Sequence, residues 1–214
     1  MPRKRVLLTG FDPFGGQAVN PSWMAVAALH GTTVAGHEVI GAQVPTVFGA
    51  ALQAMRDLLR QHKPTLVLAT GQAGGRAAIS LERVAINVND ARIPDNSGAQ
   101  PVDTPVVPGG PAAYFTRLPI KAMLTELQLR GIHAEVSQTA GTFVCNHLFY
   151  GLMHELETDP ALRDVRAGLI HVPWLPEQGQ PSMPLAELVE GLKACIECAL
   201  ATGHDIVRQA GALN

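Results

Sequence analysis

The stretch RVLLTGFDPFGGQAVNPSWMAVAALHG, residues 5–31, decides the architecture. An apolar run from Arg5 to Thr9 empties into the loop GFDPFGG (10–16), and NPSWMAVAALHG (20–31) then reads as a helix. Asn20 is placed to cap it, Pro21 suits the first turn because its missing N–H would be unpaired there anyway, and Gly31 stops it. Strand, glycine loop and helix form the first unit of an alternating chain. HEVIGAQVP (37–45) supplies a second strand, and FGAALQAMRDLLRQHKP (48–64) an amphipathic helix with Ala51, Leu52, Met55, Leu58 and Leu59 on one face. TLVLAT (65–70) is short and apolar throughout, as buried parallel strands are, and runs into the glycines of GQAGG (71–75).

The alternation continues outward. AISLERVAINVND (78–90) reads as one longer strand with Glu82 and Arg83 at its middle. ARIPDNSGAQPVDTPVVPGGP (91–111) carries too much Pro, Gly, Asp and Asn for regular structure and is long enough to be a working loop. A helix over Ile120–Leu129, the strand HAEVSQT (133–139), a glycine turn at Ala140 and Gly141, and the helix VCNHLFYGLMHEL (144–156) follow. The strand VRAGLIHV (165–172) stops at PWLPEQGQP (173–181), and PLAELVEGLKACIECALATG (184–203) closes the chain with Leu185, Leu188, Leu192, Cys195 and Ala199 along one side. This order predicts an α/β fold: a mainly parallel twisted sheet with helices on both faces and ligands bound beyond the carboxyl ends of the strands.

Composition narrows the class. A chain of 214 residues fits a single α/β domain over 1–214, able to bury roughly 70% of its extended surface without disulfide or metal staples. Lys+Arg 16 against Asp+Glu 18 leaves a net charge of −2, without the basic surplus that a nucleic-acid partner demands. Charged residues are only 16% and hydrophobics 47%, so the expectation includes a homo-oligomer that covers some apolar surface. No apolar stretch approaches the roughly 18 residues of a membrane span, and the start is too short in apolar residues for a signal peptide. With three cysteines, an odd number, the expected setting is the reducing cytoplasm, with a thiol available for chemistry.

The loops at the carboxyl ends of the strands contain Phe11, Phe14, Gln72, Phe143 and Cys145, with His171 at the end of the last strand. Phenylalanines in glycine-rich turns, rather than in strands or helices, suit pocket walls. Cys145 opens a helix, where unpaired backbone N–H groups and the helix dipole favour an anion. An ordinary thiol is only a few per cent ionised at pH 7, and helix N-termini or a nearby imidazolium are the usual means of ionising one. The competing reading is a small buried apolar residue.

Such a nucleophile needs a base, and eight histidines compete. His147 and His154 lie about 200° and 180° around the helix from Cys145 and face away. His30, His37, His62 and His133 fall mostly at the amino edge of the sheet, and His204 in the tail. His171 remains. An acceptor must fix its tautomer, and Glu82 leads, because period-two alternation sets Ser80, Glu82, Val84 and Ile86 on one face, where a carboxylate is costly unless paired. Asp90 and Asp95 stand in reserve. Donors for an oxyanion are the N–H of Cys145 and the side chain of Arg92.

GFDPFGG (10–16), GQAGGRAAISLERVAINVNDARIPDN (71–96), GTFVCNHLFYGLMH (141–154) and IHVPWLPEQ (170–178) together resemble pyroglutamyl peptidase type I, or pyrrolidone-carboxylate peptidase, in order over nearly the whole chain. The resemblance implies an α/β/α sandwich, commonly a cytosolic homotetramer. It implies a cysteine peptidase that removes an amino-terminal pyroglutamyl residue from peptides with no metal and no cofactor. Its catalytic cysteine, histidine and glutamate fall on Cys145, His171 and Glu82, and its oxyanion arginine on Arg92. Its pyroglutamate pocket maps onto Phe11, Phe14, Thr46, Gln72, Ile93, Phe143 and Val144. Pyroglutamate is a flat neutral lactam, so recognition must use ring faces and one amide. Phenyl walls suit the first, and Gln72 or nearby backbone groups the second.

Two other readings stay in view. Repeated strand, glycine loop and helix units also suit a nucleotide-handling transferase, although neither G-x-G-x-x-G nor G-x-x-x-x-G-K-[ST] is present. A binding module could keep the pocket without the chemistry. Cys195 and Cys198 form C-x-x-C, but on a helix with apolar neighbours and no second ligand pair they read as core or subunit contact.

Overall fold

The structure, a computed structural model, describes residues 4–210. Its elements in chain order are β1 (Arg5–Phe11), α1 (Pro21–Leu29), β2 (Thr33–Val34), β3 (His37–Val44), α2 (Ala50–His62), β4 (Leu66–Gln72), β5 (Ile79–Glu82) and β6 (Val84–Ile86). They continue with β7 (Ala113–Phe115), α3 (Ile120–Leu129), β8 (Ala134–Ser137), α4 (Val144–Thr158), a one-turn 3₁₀ helix at Pro160–Leu162, β9 (Arg166–Val172) and α5 (Leu185–Ala201). Seven strands form the central sheet in the order β2-β3-β1-β4-β9-β5-β8. The pairings are parallel except at β2 with β3 and at β9 with β5. Among the described residues no helix is long and apolar enough to cross a membrane.

Alternate side chains of each central strand enter different cores, as a pleated strand covered on both faces requires. Val6, Leu8, Leu66, Leu68, Ile170 and Val172 join α1, α3 and α5 in one cluster. Leu7, Val67, Ala69, Ala167 and Leu169 join α2 and α4 in the other. The two layers and the sheet between them make the α/β/α sandwich. Close packing on the second face depends on Gly151 of α4, where an added Cβ would lie 2.5 Å from a methyl of Leu52 in α2.

Helix α1 begins as its sequence dictates, with Asn20 Oδ1 accepting from Ser22 N at 3.0 Å. One element departs from expectation. The long strand read over 78–90 is two strands in different sheets, because the chain changes partners at Arg83. There its N–H bonds Ser137 O at the end of β8, while its carbonyl accepts from Thr116 N beside β7. Alternation persists across such a switch, so Ser80 and Glu82 face one side of the main sheet while Val84 and Ile86 belong to the separate antiparallel β6–β7 pair.

Beyond β6 the buried amide of Asn146 replaces a strand partner. Its Oδ1 accepts from Ile86 N at 3.0 Å, and its Nδ2 donates to Ile86 O at 2.9 Å and Val88 O at 3.0 Å. The long loop is likewise held by a side chain. Asp95 Oδ1 accepts from the N–H groups of Ser97 and Ala99, and Oδ2 from Phe48 N. Burial alone would raise the Asp95 pKa, but these donors outweigh it and hold the carboxyl below its ordinary range.

Candidate active site

Five segments meet beyond the carboxyl ends of β1, β4 and β9, around a cavity of about 460 Å³. Its lining includes Phe14, Gln72, Arg76, Arg92, Phe143, Cys145, His171 and Trp174. Cys145 is the second residue of α4, whose cap residue, Phe143, offers no side-chain acceptor. The Cys145 N–H therefore lies in the first turn, outside the helix's own ladder, as an unpaired donor. The preceding turn is fixed by Asp90, whose carbonyl accepts from Thr142 Oγ1 at 2.7 Å and whose N–H donates to Thr142 O at 3.0 Å. That lacing brings the segment of Arg92 beside the start of α4.

His171 is buried near the end of β9, directly opposite Gly71 in β4 and Ser80 in β5. Because β5 runs antiparallel to β9, Glu82 is its diagonal neighbour on the same face, close enough for side chains to meet. His171 Nδ1 bonds Glu82 Oε1 at 2.7 Å. This leaves Nε2 for the sulfur. A Cβ built on Gly71 would stand 2.7 Å from Cys145 Sγ and 3.3 Å from His171 Nε2, so the sulfur and the imidazole converge on the space that the missing side chain vacates.

Glu82 is wholly buried, yet two cationic groups share its Oε1: His171, and Arg76 Nη1 at 2.6 Å. Arg76 Nη2 donates in turn to Thr139 O at 3.1 Å. Burial raises the Glu82 pKa, but the hydrogen bond and charge of His171, with Ser137 and Arg76, reverse the direction and hold the carboxyl ionised. For His171, burial opposes the charged form, while hydrogen bonding to Cys145 and Glu82 and the charges of both lift its pKa to about 9. The ring is therefore an imidazolium in the neutral range. A sulfur nucleophile, a cationic imidazole and a buried carboxylate in this order are the parts that nucleophilic acyl chemistry needs.

The other histidines of α4 are committed elsewhere. His147 Nε2 accepts from Gly49 N at 3.0 Å, so its Nδ1–H donates to Asn89 Oδ1 at 3.0 Å. Burial, aided by Arg56, pushes its pKa down to about 4. His154 Nδ1 meets the Tyr114 hydroxyl at 2.9 Å. Neither reserve carboxylate reaches His171 within bonding distance: Asp95 organises the long loop, and Asp90 sits exposed on the cavity rim.

The residues suggested for the pocket divide. Phe14, Gln72, Ile93 and Phe143 line the cavity, with the Phe14 and Phe143 rings 5.9 Å apart. Phe11, Thr46 and Val144 are buried and are not part of its lining. Phe11 and Val144 belong to the core, because the glycine turn begins only after Phe11 has completed β1. Thr46 ties two loops together through Asp12, its N–H donating to Oδ1 at 2.6 Å and its hydroxyl to the carbonyl at 3.1 Å.

Sequence reasoning missed Arg76, Gly71 and Trp174. Arg76 had a signal: it is a lone cation in a Gly/Ala loop six residues before a carboxylate expected to be buried. Cys195 is core, its thiol pushed up by burial, and Cys198 is partly buried beside it. Among the described residues no group of three or more His, Cys, Asp or Glu side chains is gathered to hold a metal ion.

Comparison with known proteins gives one answer. The sequence model of the pyroglutamyl peptidase family matches residues 4–202. A pyrrolidone-carboxylate peptidase of Cupriavidus necator is 56% identical over 216 aligned positions, 99% of this chain and 100% of that protein. One from Bacillus cereus is 51% identical over the same shares. The crystal structure of pyroglutamyl peptidase I from Bacillus amyloliquefaciens superposes with a TM-score of 0.94 at 49% identity, covering 97% of this chain and 100% of that one. A mutant pyrrolidone carboxyl peptidase from Pyrococcus furiosus superposes at 0.88 and 41% identity, covering 92% and 98%.

Proposed function

Because this chain belongs to the pyroglutamyl peptidase family, we propose that it hydrolyses the bond after an amino-terminal pyroglutamyl residue, with Cys145, His171 and Glu82 as its catalytic triad. The Cys145 thiolate attacks the pyroglutamyl carbonyl carbon. The oxyanion so formed is met by the Cys145 N–H and the Arg92 guanidinium. The carbon–nitrogen bond breaks as His171 gives its proton to the leaving amine, which departs as the shortened peptide. His171, now neutral, takes a proton from water as the water's oxygen attacks the thioester. The carbon–sulfur bond then breaks, pyroglutamate leaves, and the thiolate and imidazolium are restored. Glu82 orients the ring and stabilises its charge throughout.

The observation that carries this reading is the convergence of Cys145 Sγ and His171 Nε2 over Gly71, with Glu82 behind the ring. The phenyl walls of Phe14 and Phe143 suit the faces of a lactam, and Gln72 suits its amide. The test offers the protein pyroglutamyl, prolyl and alanyl anilides in parallel. Only the first is cleaved, cleavage stops after thiol alkylation, and Cys145→Ala folds but does not turn over. Equal cleavage of the prolyl compound, or an active Cys145→Ala, refutes the proposal.

Self-association belongs to the same reading. Phe115 and Leu129, 70% and 79% exposed in the single chain, support a homo-oligomer such as a tetramer, and light scattering that finds a monomer at micromolar concentration refutes it. Three free cysteines support a reducing, cytoplasmic setting.

A further inference from the structure

Three glutamines meet beside the cavity: Gln72, the last residue of β4 and part of the lining, with Gln17 and Gln178 from two separate loops. Gln178, in the loop after β9, places its Nε2 3.1 Å from Gln72 Oε1, 3.1 Å from Gln17 Oε1 and 3.4 Å from Val19 O. Its own Oε1 accepts from Leu175 N at 3.1 Å.

A glutamine amide can normally be turned end for end, exchanging donor for acceptor. Here it cannot. Leu175 N–H can only donate and Val19 C=O can only accept, and they face opposite ends of the Gln178 amide. Its NH₂ is therefore forced toward Gln17 and Gln72. Its two hydrogens serve the two shorter contacts, to Gln17 and Gln72 at 3.1 Å, and Val19 O shares one of them at 3.4 Å; both glutamines answer with oxygen, since an NH₂ turned inward would meet another NH₂. Gln72 is consequently pinned by Oε1, and its own NH₂, which has no protein partner among the described residues, is left for whatever fills the cavity.

We propose that Gln178 is a specificity-determining positioning residue, fixing Gln72 so that it presents N–H donors to the ring carbonyl oxygen of the pyroglutamyl lactam. The inference rests on the reading of the cavity as a lactam pocket. It deepens that reading by stating which atom of the lactam Gln72 contacts and what enforces the choice. Proline, whose ring carries no carbonyl, leaves the Gln72 donors unpaired.

The test is a double-mutant cycle on the whole protein with a pyroglutamyl anilide. Gln178→Glu keeps the shape and still accepts from Leu175 N–H, but confronts Gln72 with oxygen only. Gln72 must then turn its NH₂ away from the cavity, setting its oxygen against the lactam's. The lactam contact is the same in ground and transition states, so KM rises about 10- to 100-fold while kcat stays within about threefold. The iodoacetamide alkylation rate of Cys145, which needs no lactam, stays at the wild-type value.

Gln72→Leu raises KM to a similar degree, and adding Gln178→Glu to it costs nothing more, because Gln178 acts only through Gln72. If Gln72→Leu leaves KM unchanged, the lactam reading itself fails. If Gln72→Leu raises KM while Gln178→Glu does not, or if the two effects simply add, the role of Gln178 is refuted and the pocket reading stands. A changed alkylation rate in Gln178→Glu also refutes it, since the substitution would then be disturbing the site as a whole.

Discussion

Adding one methyl group at Gly71 tests the proposed site at its narrowest point. Gly71 lies in β4, paired in register with His171, and its backbone is not in the left-handed region, so alanine meets no conformational penalty there. The obstacle is space. The new Cβ would stand 2.7 Å from Cys145 Sγ and 3.2 Å from His171 Cδ2. Non-bonded heavy atoms rest at roughly 3.5–4.0 Å, so the sulfur must retreat by about 1 Å, and the ring by a few tenths of an ångström. Neither can do so freely, because Cys145 is fixed by the start of α4 and His171 is bonded to Glu82. A displacement of about 1 Å in a reacting pair costs about 100-fold in rate, whereas overpacking of this size costs stability only about 1–3 kcal/mol. Gly71→Ala is therefore expected to fold, to lose about 100-fold in kcat/KM on a pyroglutamyl anilide, and to alkylate more slowly at Cys145. Urea denaturation measures the first effect and steady-state kinetics the second. Activity within about threefold of wild type in a folded Gly71→Ala protein would show that the sulfur and imidazole do not work across this gap.

The remaining predictions concern charge and buried polar groups. With His171 lifted to about 9, kcat/KM falls above that pH as the imidazolium is lost; Glu82→Gln removes a group that raises His171, so the alkaline limb moves to lower pH and the rate drops about 10²- to 10⁴-fold. A group raised in the folded state contributes stability that is full below its ordinary value of 6.5 and lost through about 9, so the urea midpoint should fall between about pH 7 and about pH 9.5, and less so in Glu82→Gln. Arg76→Met leaves the buried Glu82 carboxylate with His171 as its one remaining cationic partner, and is expected to destabilise the fold by about 1–3 kcal/mol in chemical denaturation. Asn146→Leu strands the N–H and C=O of Ile86 and the C=O of Val88, a loss of about 3 kcal/mol or more read the same way; an unchanged midpoint would refute the strand-substituting role given to this amide.

What was legible in the sequence was whatever local physics controls. The apolar runs ending at Thr9, Thr70 and Val172 and the cap at Asn20 follow from hydrophobic pattern and backbone chemistry alone, and they carry the layered fold, although β1 and β4 each run two residues further, to Phe11 and Gln72. Cys145 and His171 could be brought to one edge because strand direction and helix start fix where each must lie. Glu82 could be named because a carboxylate alternating with apolar residues needs a partner. The change of sheet at Arg83 was hidden, since it depends on hydrogen bonds to Ser137 and Thr116, far off in the chain. The space beside Gly71 and the place of Phe11 in β1 were hidden for a related reason. A glycine that makes room for a sulfur 74 positions later looks like any turn glycine, and a phenylalanine at a strand's last residue is indistinguishable from one on the loop beyond it. The glutamine cluster has no sequence signature, being an agreement between the end of β4 and two loops.

The placement of β9 between β4 and β5 has a consequence for how the molecule comes into being. Strands ending at residue 72 and beginning at residue 79 are near neighbours in the chain, yet they are held apart by a strand that starts only at residue 166. As synthesis proceeds, the first two lack their common partner and the sheet stays split down its centre. Closing that seam demands contacts of long sequence separation, which fold slowly. The keystone that joins the halves also delivers the His171 imidazole, so a nascent chain gains mechanical continuity and its proposed acid and base in one event.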